Sequence, residues 1–417
     1  MMRSSWIYGL LALPPIPILL FSNQLPIWAS IAALVWLLAL FMIHSANTKT
    51  WFGKTPADFI LLLLLLLLPA SLWVTTNRDI TLARSFALIA NIALFYAIAI
   101  QSGAKVIRWG GWALLLGGLI LTIVTIPGTR FFTGEKLPLI KRSVVDLFAL
   151  GWRLPGDENG FNPNITGAIL AWFFPPALVL SIRPTGRWQR ILAIVTMLVL
   201  VLAVLLTQSR GAIIALVVGL AVTTGLIWRK LGWVWLASGV VALVALLLKG
   251  DSILNALFTT NTSNGDVVSM SARIELWSRA IYAGVDFPFT GIGLGQFPDT
   301  VQKLYPPTRL VLSEQIPHAH NFYLQTLAEM GYPGLIVHSS FIMILIFVLV
   351  QHIRHKQQHA RHLAIGLLGT LAVFLTHGIV EAPNDSPLSA IVLWGLFGTM
   401  MAVGLSNVHI YQEDIHD

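Results

Sequence analysis

Cysteine is missing from the 417 residues. That absence rules out disulfides, thiolate nucleophiles, iron–sulfur clusters and cysteine-held zinc together. Charge is nearly as scarce: Asp, Glu, Lys and Arg make up 11% of the chain, against about 25% in soluble domains. So few charges do not clothe a water-exposed globule. Basic runs interleaved with aromatic residues are also lacking, so the net charge of +8 does not point to nucleic acid. There is no internal repeat, and no low-complexity tract beyond a run of leucines.

What fills the chain instead is apolar: 56% of residues are hydrophobic and the mean hydropathy is +0.78. Apolar runs recur to within a dozen residues of the last residue, unlike a signal peptide followed by a soluble chain. A spanning helix needs about 20 apolar residues. Twelve stretches qualify, roughly 5–21, 25–43, 58–74, 84–101, 110–126, 163–182, 191–207, 211–228, 232–248, 333–350, 363–380 and 388–405. They are continuous, as from Ile60 to Leu68, and not alternating ten-residue strands, which sets aside a β-barrel. Pro14, Pro15 and Pro17 break or kink the first of them. The predicted fold is an all-α polytopic membrane protein of about twelve transmembrane helices.

Lysine and arginine in short connections set the expected orientation. With a cytoplasmic N-terminus, the inner connections carry Lys49, Lys54, Lys105, Arg108, Arg183, Arg187, Arg190, Arg229, Lys230, Arg354, Lys356 and Arg361. The short outer ones carry Arg78, Arg84 and Arg210. Apart from Asp58 and the tail EDIHD, the acidic residues also fall outside, so both termini are expected in the cytoplasm.

Two outer segments, about 127–162 and about 249–332, are too long to be mere connections. The second contains SARIELWSRAIYAG at 271–284, in which Ile274, Trp277, Ile281 and Ala280 share a helical face. That pattern predicts an amphipathic helix on the outer membrane surface. Residues 320–330 predict a second one, ended by Gly331 and Pro333 before the tenth span.

Four outer clusters hold residues suited to chemistry. Arg210, in TQSRG at 207–211, either snorkels to the headgroups or clamps an anion through its planar guanidinium fork. Arg273 and Arg279 lie about 240° apart around their helix, so they do not easily face one ligand. Arg273 is the candidate contact, and Arg279 fits better as the i, i+4 partner of Glu275. GIGLGQF at 291–297 lacks the flanking strand of a nucleotide-binding turn and reads as a tight turn against another backbone.

The fourth cluster is HAHNFYLQTLAEMGYPG at 318–334. His318 and His320 alternate as strand-borne metal ligands do, yet no further ligand stands at a supporting spacing, and acidic residues are sparse nearby. No metal or other cofactor is expected. Asp157, Glu158, Glu381 and Asp385 are the acidic residues that a cation requirement would bring into play. The choice for His320 lies between a structural cap partner and acid/base chemistry, since imidazole titrates near neutral pH. Helix onset near 320 would let the two histidines face different ligands.

Residues 320–334, HN followed by nine residues and GYPG, resemble the H-[NSQ]-x9-G-x-x-[GTY] pattern of the O-antigen ligase family. That family includes O-antigen polymerases and bacterial O-linking protein oligosaccharyltransferases. FNPN at 161–164, SRG at 209–211, R-x-x-L/I-W at 273–277 and G-x-G-x-G-x-F at 291–297 follow in similar order. The resemblance covers about 160–335, whereas residues before 150 match in hydropathy alone. It implies residues 1–150 as N-terminal transmembrane helices with the start of the first outer loop. Residues 151–405 form the family-like core with the catalytic outer loop at about 249–332, and 406–417 form a cytoplasmic tail.

The resemblance also implies an inverting glycosyltransferase, metal-independent, on the extracytoplasmic face of the bacterial inner membrane. Its donor would be an undecaprenyl-diphosphate-linked glycan and its acceptor a hydroxyl of a lipid A core sugar, of another lipid-linked repeat, or of a protein. Arg210 and Arg273 would hold the diphosphate and His320 would serve the acceptor hydroxyl. Arg279, His318 and Asn321 are secondary candidates, His318 lying outside the pattern. From another class, a lipid-linked glycan flippase or twelve-helix transporter competes. Its mark would be ionisable groups near the midplane in matching halves, and here the spans are almost charge-free.

Overall fold

The computed structural model describes residues 2–22, 24–48, 55–101, 104–131, 140–152, 160–258, 270–308, 318–354, 358–382 and 386–406. Among them nine helices are long and apolar enough to cross a membrane, and three shorter apolar ones run over Ile7–Leu20, Asp58–Val74 and Trp109–Thr125. Together they correspond one for one to the twelve runs read from the sequence. Two of the short ones are proline-divided. The first separates into Met2–Leu11 and Pro15–Leu20, and Pro69 sits in the opening turn of Leu68–Val74 after Asp58–Leu66. The single β contact among the described residues is a bridge between Thr129 and Phe161. The chain is an all-α polytopic membrane protein.

The Pro163–Ile182 helix is the axis of the molecule, with 78% of its apolar window buried against other helices, whereas none of Arg229–Gly250 is. The first belongs to the core, and the second is exposed over most of its girth, touching Arg210–Ile227 where Gly232 meets Gly225 and Trp235 donates to Thr224. Pro175 and Pro176 lie inside that axial helix. Pro176 has no N–H to give the carbonyl of Trp172 four residues back. The Thr370 hydroxyl donates to that carbonyl instead, at 2.6 Å. The substitute comes from Gln358–His377, whose Gly366 and Gly369 press on Pro176 and Pro175 so closely that a Cβ would collide. Gly219 of Arg210–Ile227 closes the same crossing against Val373. Small residues at such crossings let membrane helices approach for dispersion contact.

This three-helix crossing positions the site. The connections at 183–186, 207–209 and 378–386 are short, so the starts of Pro163–Ile182, Arg210–Ile227 and Pro387–Leu405 gather at one end with the finish of Gln358–His377. Gly167 packs on Thr207, Ser209 and Ala212 there, and Gly211 packs on His377 and Val380.

At that end the Met270–Asp286 helix forms as predicted, and it buries a second face against the protein. Ala272, Leu276, Ala280 and Ala283 are buried, while Ile274 and Ile281 are exposed. The helix therefore has two apolar faces, and the smaller side chains take the protein side because Leu327 and Ala328 approach it closely. Phe322–Ile353 runs as one helix broken at Gly331, whose positive φ of 65° admits the carbonyl of Pro288 within 2.5 Å of where a Cβ would stand. The glycine loop at 291–295 is the predicted tight turn. Ile292 and Gly293 donate backbone hydrogen bonds to Ala328 and Glu329, and a Cβ on Gly291 would lie 2.3 Å from the Glu329 carbonyl carbon.

Candidate functional site

His320 sits in a turn that its neighbours over-determine. Its φ is +48°, a left-handed conformation uncommon outside glycine, asparagine and aspartate. Asn321 caps the following helix by accepting from Leu324 N–H at 3.0 Å, and its side-chain amide donates to the carbonyl of Ile379 at 2.9 Å. The Gln325 side chain accepts from Ala319 N–H at 2.7 Å, and Phe322 N–H reaches the carbonyls of Gly378 and Glu381. Asn321 is thus occupied as a cap and tether.

The turn brings both imidazoles to one carboxylate. His318 Nε2 and His320 Nδ1 lie 2.5 and 2.9 Å from the same oxygen, Oε1 of Glu381. The expectation that the histidines part company is corrected: the helix begins at Phe322, and the left-handed residue before it turns His320 back towards Glu381. His318, His320 and Glu381 are all buried, the last 1% exposed. Burial raises the Glu381 carboxyl, but the facing His320 and His318 outweigh it and hold the group well below the usual carboxylate range. Burial lowers His320 below its ordinary value, against the upward pull of Glu381. The state these directions favour is a carboxylate accepting from a neutral His320 ring.

That state fixes a tautomer. With its proton on Nδ1, donated to Glu381, His320 presents a lone pair on Nε2. Nε2 is buried and has no hydrogen-bond partner among the described residues.

Arg273 is 7% exposed, and its Nε likewise has no partner among the described residues. Burial lowers its pKa, Glu381 opposing. Arg210 opens its helix beside Gly211, which abuts His377 and Val380, so both arginines border the 377–381 turn. The Ser209 hydroxyl caps that helix by accepting from Ala212 N–H, and Gln208 before it has a φ of 53°. The helix start adds its own positive end to the two guanidinium groups. Arg279 points elsewhere: it pairs with Glu275 at 3.3 Å and lies over the Tyr282 ring. Glu275 also accepts from the backbone and hydroxyl of Thr308.

The expectation that no metal-ligand set assembles also needs correction. His318, His320 and Glu381 each offer one donor atom, all within 4.8 Å of one another. Glu381 follows a span sixty-one residues after His320, and no spacing pattern links the two. Asp157, Glu158 and Asp385 lie outside the described residues. The sequence reading also missed His377, buried at the finish of its helix with Nδ1 unpartnered among the described residues.

Fold and site define a multi-pass membrane protein with two buried histidines, a carboxylate and two arginines gathered at one end of its helices. Residues 192–339 of the 417 match the family model described as O-antigen ligase, which supports placing this stretch of the chain with that family. The matched stretch contains Arg210, Arg273, His318, His320 and Asn321, whereas Glu381 lies beyond it. No curated protein matches the chain. The family is one of ligases and polymerases of glycosyltransferase type, which handle lipid-linked glycans in a membrane.

Proposed function

We propose that the protein transfers a glycan from undecaprenyl diphosphate to a hydroxyl of a lipid A core sugar at the outer face of the inner membrane. The acceptor oxygen bonds to the anomeric carbon as the bond from that carbon to the phosphate oxygen breaks. The electron pair leaves with undecaprenyl diphosphate, and the hydroxyl proton passes to His320 Nε2. Attack opposite the leaving group inverts the anomeric carbon. Arg210 and Arg273 hold the diphosphate and offset its developing charge, an electrostatic role that needs no divalent cation. Glu381 is a positioning residue, fixing the His320 tautomer and stabilising the imidazolium that forms, as the buried aspartate does in a serine-protease triad.

The observation that carries this reading is the pairing of His320 Nδ1 with Glu381, which leaves Nε2 unpartnered among the described residues and near Arg273. The test is paired. His320→Ala is expected to abolish transfer while the lipid-linked donor still binds, because the arginines hold the diphosphate. A His320→Ala protein with full transfer ends the proposal. Reporters check the side of the membrane: one after Arg187 is expected in the cytoplasm and one near Ser263 outside.

A second reading is favoured by one observation, the His2Glu donor set, which is a zinc-binding combination. Ligands about 2.0–2.2 Å from zinc in a tetrahedron stand about 3.3 Å apart, and the 2.5 and 2.9 Å separations found are those of hydrogen bonds. The metal-free reading is preferred for that reason. Activity is expected to survive EDTA, and loss restored by one cation would reverse the preference.

A further inference from the structure

We infer that a cavity beside the histidine turn seats the acceptor glycan, an inference that rests on the transferase reading above. The cavity holds about 660 Å³, within the range of about 300–1,000 Å³ usual for small-molecule sites. Its walls come from the 20–27 segment, Arg78–Ala99, the first half of Phe322–Ile353, the start of Pro387–Leu405, and the glycine loop. Asp79, Arg84, Gln325, Glu329 and Ser386 line it, and Asn91 lines it deeper. Asn91 stands about 20 Å along its helix from Arg78. It is 4% exposed, and its Oδ1 accepts no hydrogen bond among the described residues.

An amide oxygen left so, far from bulk water, is unfavourable until a ligand donates to it. An isoprenoid tail would suit the apolar part of the lining, Phe21, Phe86 and Trp394 among it, but brings no donor to Asn91. A diphosphate would face two carboxylates and one guanidinium, and be repelled. A phosphate-free glycan suits all of them, since its hydroxyls donate to carboxylate and amide oxygens and accept from Arg84 and Gln325.

Position makes this glycan the acceptor. The connection after Gln358–His377 passes Gly211 and Arg210 at His377 and Val380, then Glu381, and reaches the cavity wall at Ser386. Along the chain, Glu381, the partner of His320, thus lies between the residues that meet Gly211 and the residue that joins the cavity wall. In-line displacement requires the acceptor opposite the departing diphosphate. Gln325 ties the two places together, its Oε1 accepting from Ala319 between the histidines and its Nε2 donating to Glu329 on the cavity wall at 2.7 Å.

Ala83 and Ala87 also line the cavity, so Ala83→Trp and Ala87→Trp place an indole in existing space. In the purified full-length protein both are expected to raise the acceptor KM at least about tenfold, the equivalent of one lost hydrogen bond or more, with the donor KM unchanged. Donor-free binding is read by saturation-transfer NMR with two probes, delipidated core oligosaccharide and the O-antigen repeat oligosaccharide. One of them is expected to bind the wild type and to be lost in both variants. Asn91→Leu, close in size, keeps the test open should the tryptophans prevent folding, and is expected to weaken the same probe. A rise in donor KM instead, binding by neither probe, or binding unaffected by all three substitutions overturns the inference. A wild-type protein that binds a probe but never transfers ends the transferase reading and leaves the cavity a glycan site.

Discussion

The two ends of the helix bundle use arginine in opposite ways. At one end Arg183, Arg187, Arg190 and Arg361 are exposed, all in or beside short connections. At the other Arg273 is buried, its Nε unpartnered among the described residues, within electrostatic reach of Glu381, His320 and His377. Hydrated arginines cost the fold little, whereas a buried guanidinium carries a desolvation penalty of several kcal/mol that one carboxylate only partly offsets. A bound anion would offset the rest. The contrast separates charge that merely borders a membrane from charge that, on the proposed reading, takes an anion.

Glu381 is where the contrast breaks most completely. Glu381→Gln keeps the size but removes the charge and frees the histidine tautomers. Transfer is expected to fall by about 10⁴-fold, as when the carboxylate of a catalytic triad is neutralised, with retention of the lipid-linked donor nearly unchanged. A variant within about tenfold of wild type would leave Glu381 without a positioning role.

Lysine substitution sharpens the comparison between the ends. Arg210→Lys and Arg273→Lys preserve charge and lose the fork, and each is expected to lower the transfer rate about a hundredfold, about 3 kcal/mol of transition-state stabilisation. Arg187→Lys at the opposite end is expected to leave transfer unchanged. Equal effects at both ends, measured per inserted molecule, would show that the burial of Arg273 has no bearing on turnover.

Helices were legible in the sequence because each announces itself within a window of some twenty residues. All twelve apolar runs became helices, and so did the amphipathic segment at 271–284, whose second, alanine-lined face against the protein the periodicity did not single out. Periodicity counts Ile274 as apolar but does not say that small alanines must meet Leu327. Glu381 stood out as one of four acidic residues open to a cation, but its pairing with His320 was illegible for a related reason. It joins His320 through a hydrogen bond across sixty-one residues, and that closure depends on the crossing of three helices, not on local spacing. The convergence of His318 hung on one left-handed residue, for which histidine gives no warning.

The acidity of His320 offers a subtler probe of the buried end. The transfer reaction needs the neutral ring, and burial, reinforced by His318 and Arg273, lowers its pKa below 6.5 against the pull of Glu381. A lowered pKa keeps the base form populated further into acid. The acid limb of kcat/KM is therefore expected below pH 6.5, and in the residual activity of Glu381→Gln it should lie lower still, since the raising charge is gone. A limb that moves to higher pH in that variant would mean that the carboxylate does not stabilise the protonated ring.

The smallest effect belongs to the bundle's interior, where a polar side chain has a structural task alone. Thr370 donates to the Trp172 carbonyl that Pro176 cannot serve, in a place screened from water. Thr370→Val keeps the shape and removes the donor. Interhelical hydrogen bonds in membranes contribute about 0.6 kcal/mol on average and about 1.7 at most, and the orphaned carbonyl has no water to turn to, so a loss of about 1–2 kcal/mol is expected. Thr370→Ser retains the hydroxyl and should recover most of it. Unfolding in detergent, followed beside transfer per folded molecule, distinguishes the two kinds of polar residue. Stability should fall in the valine variant while kcat holds, the reverse of Glu381→Gln, and a fall in kcat at unchanged stability would draw Thr370 into the site.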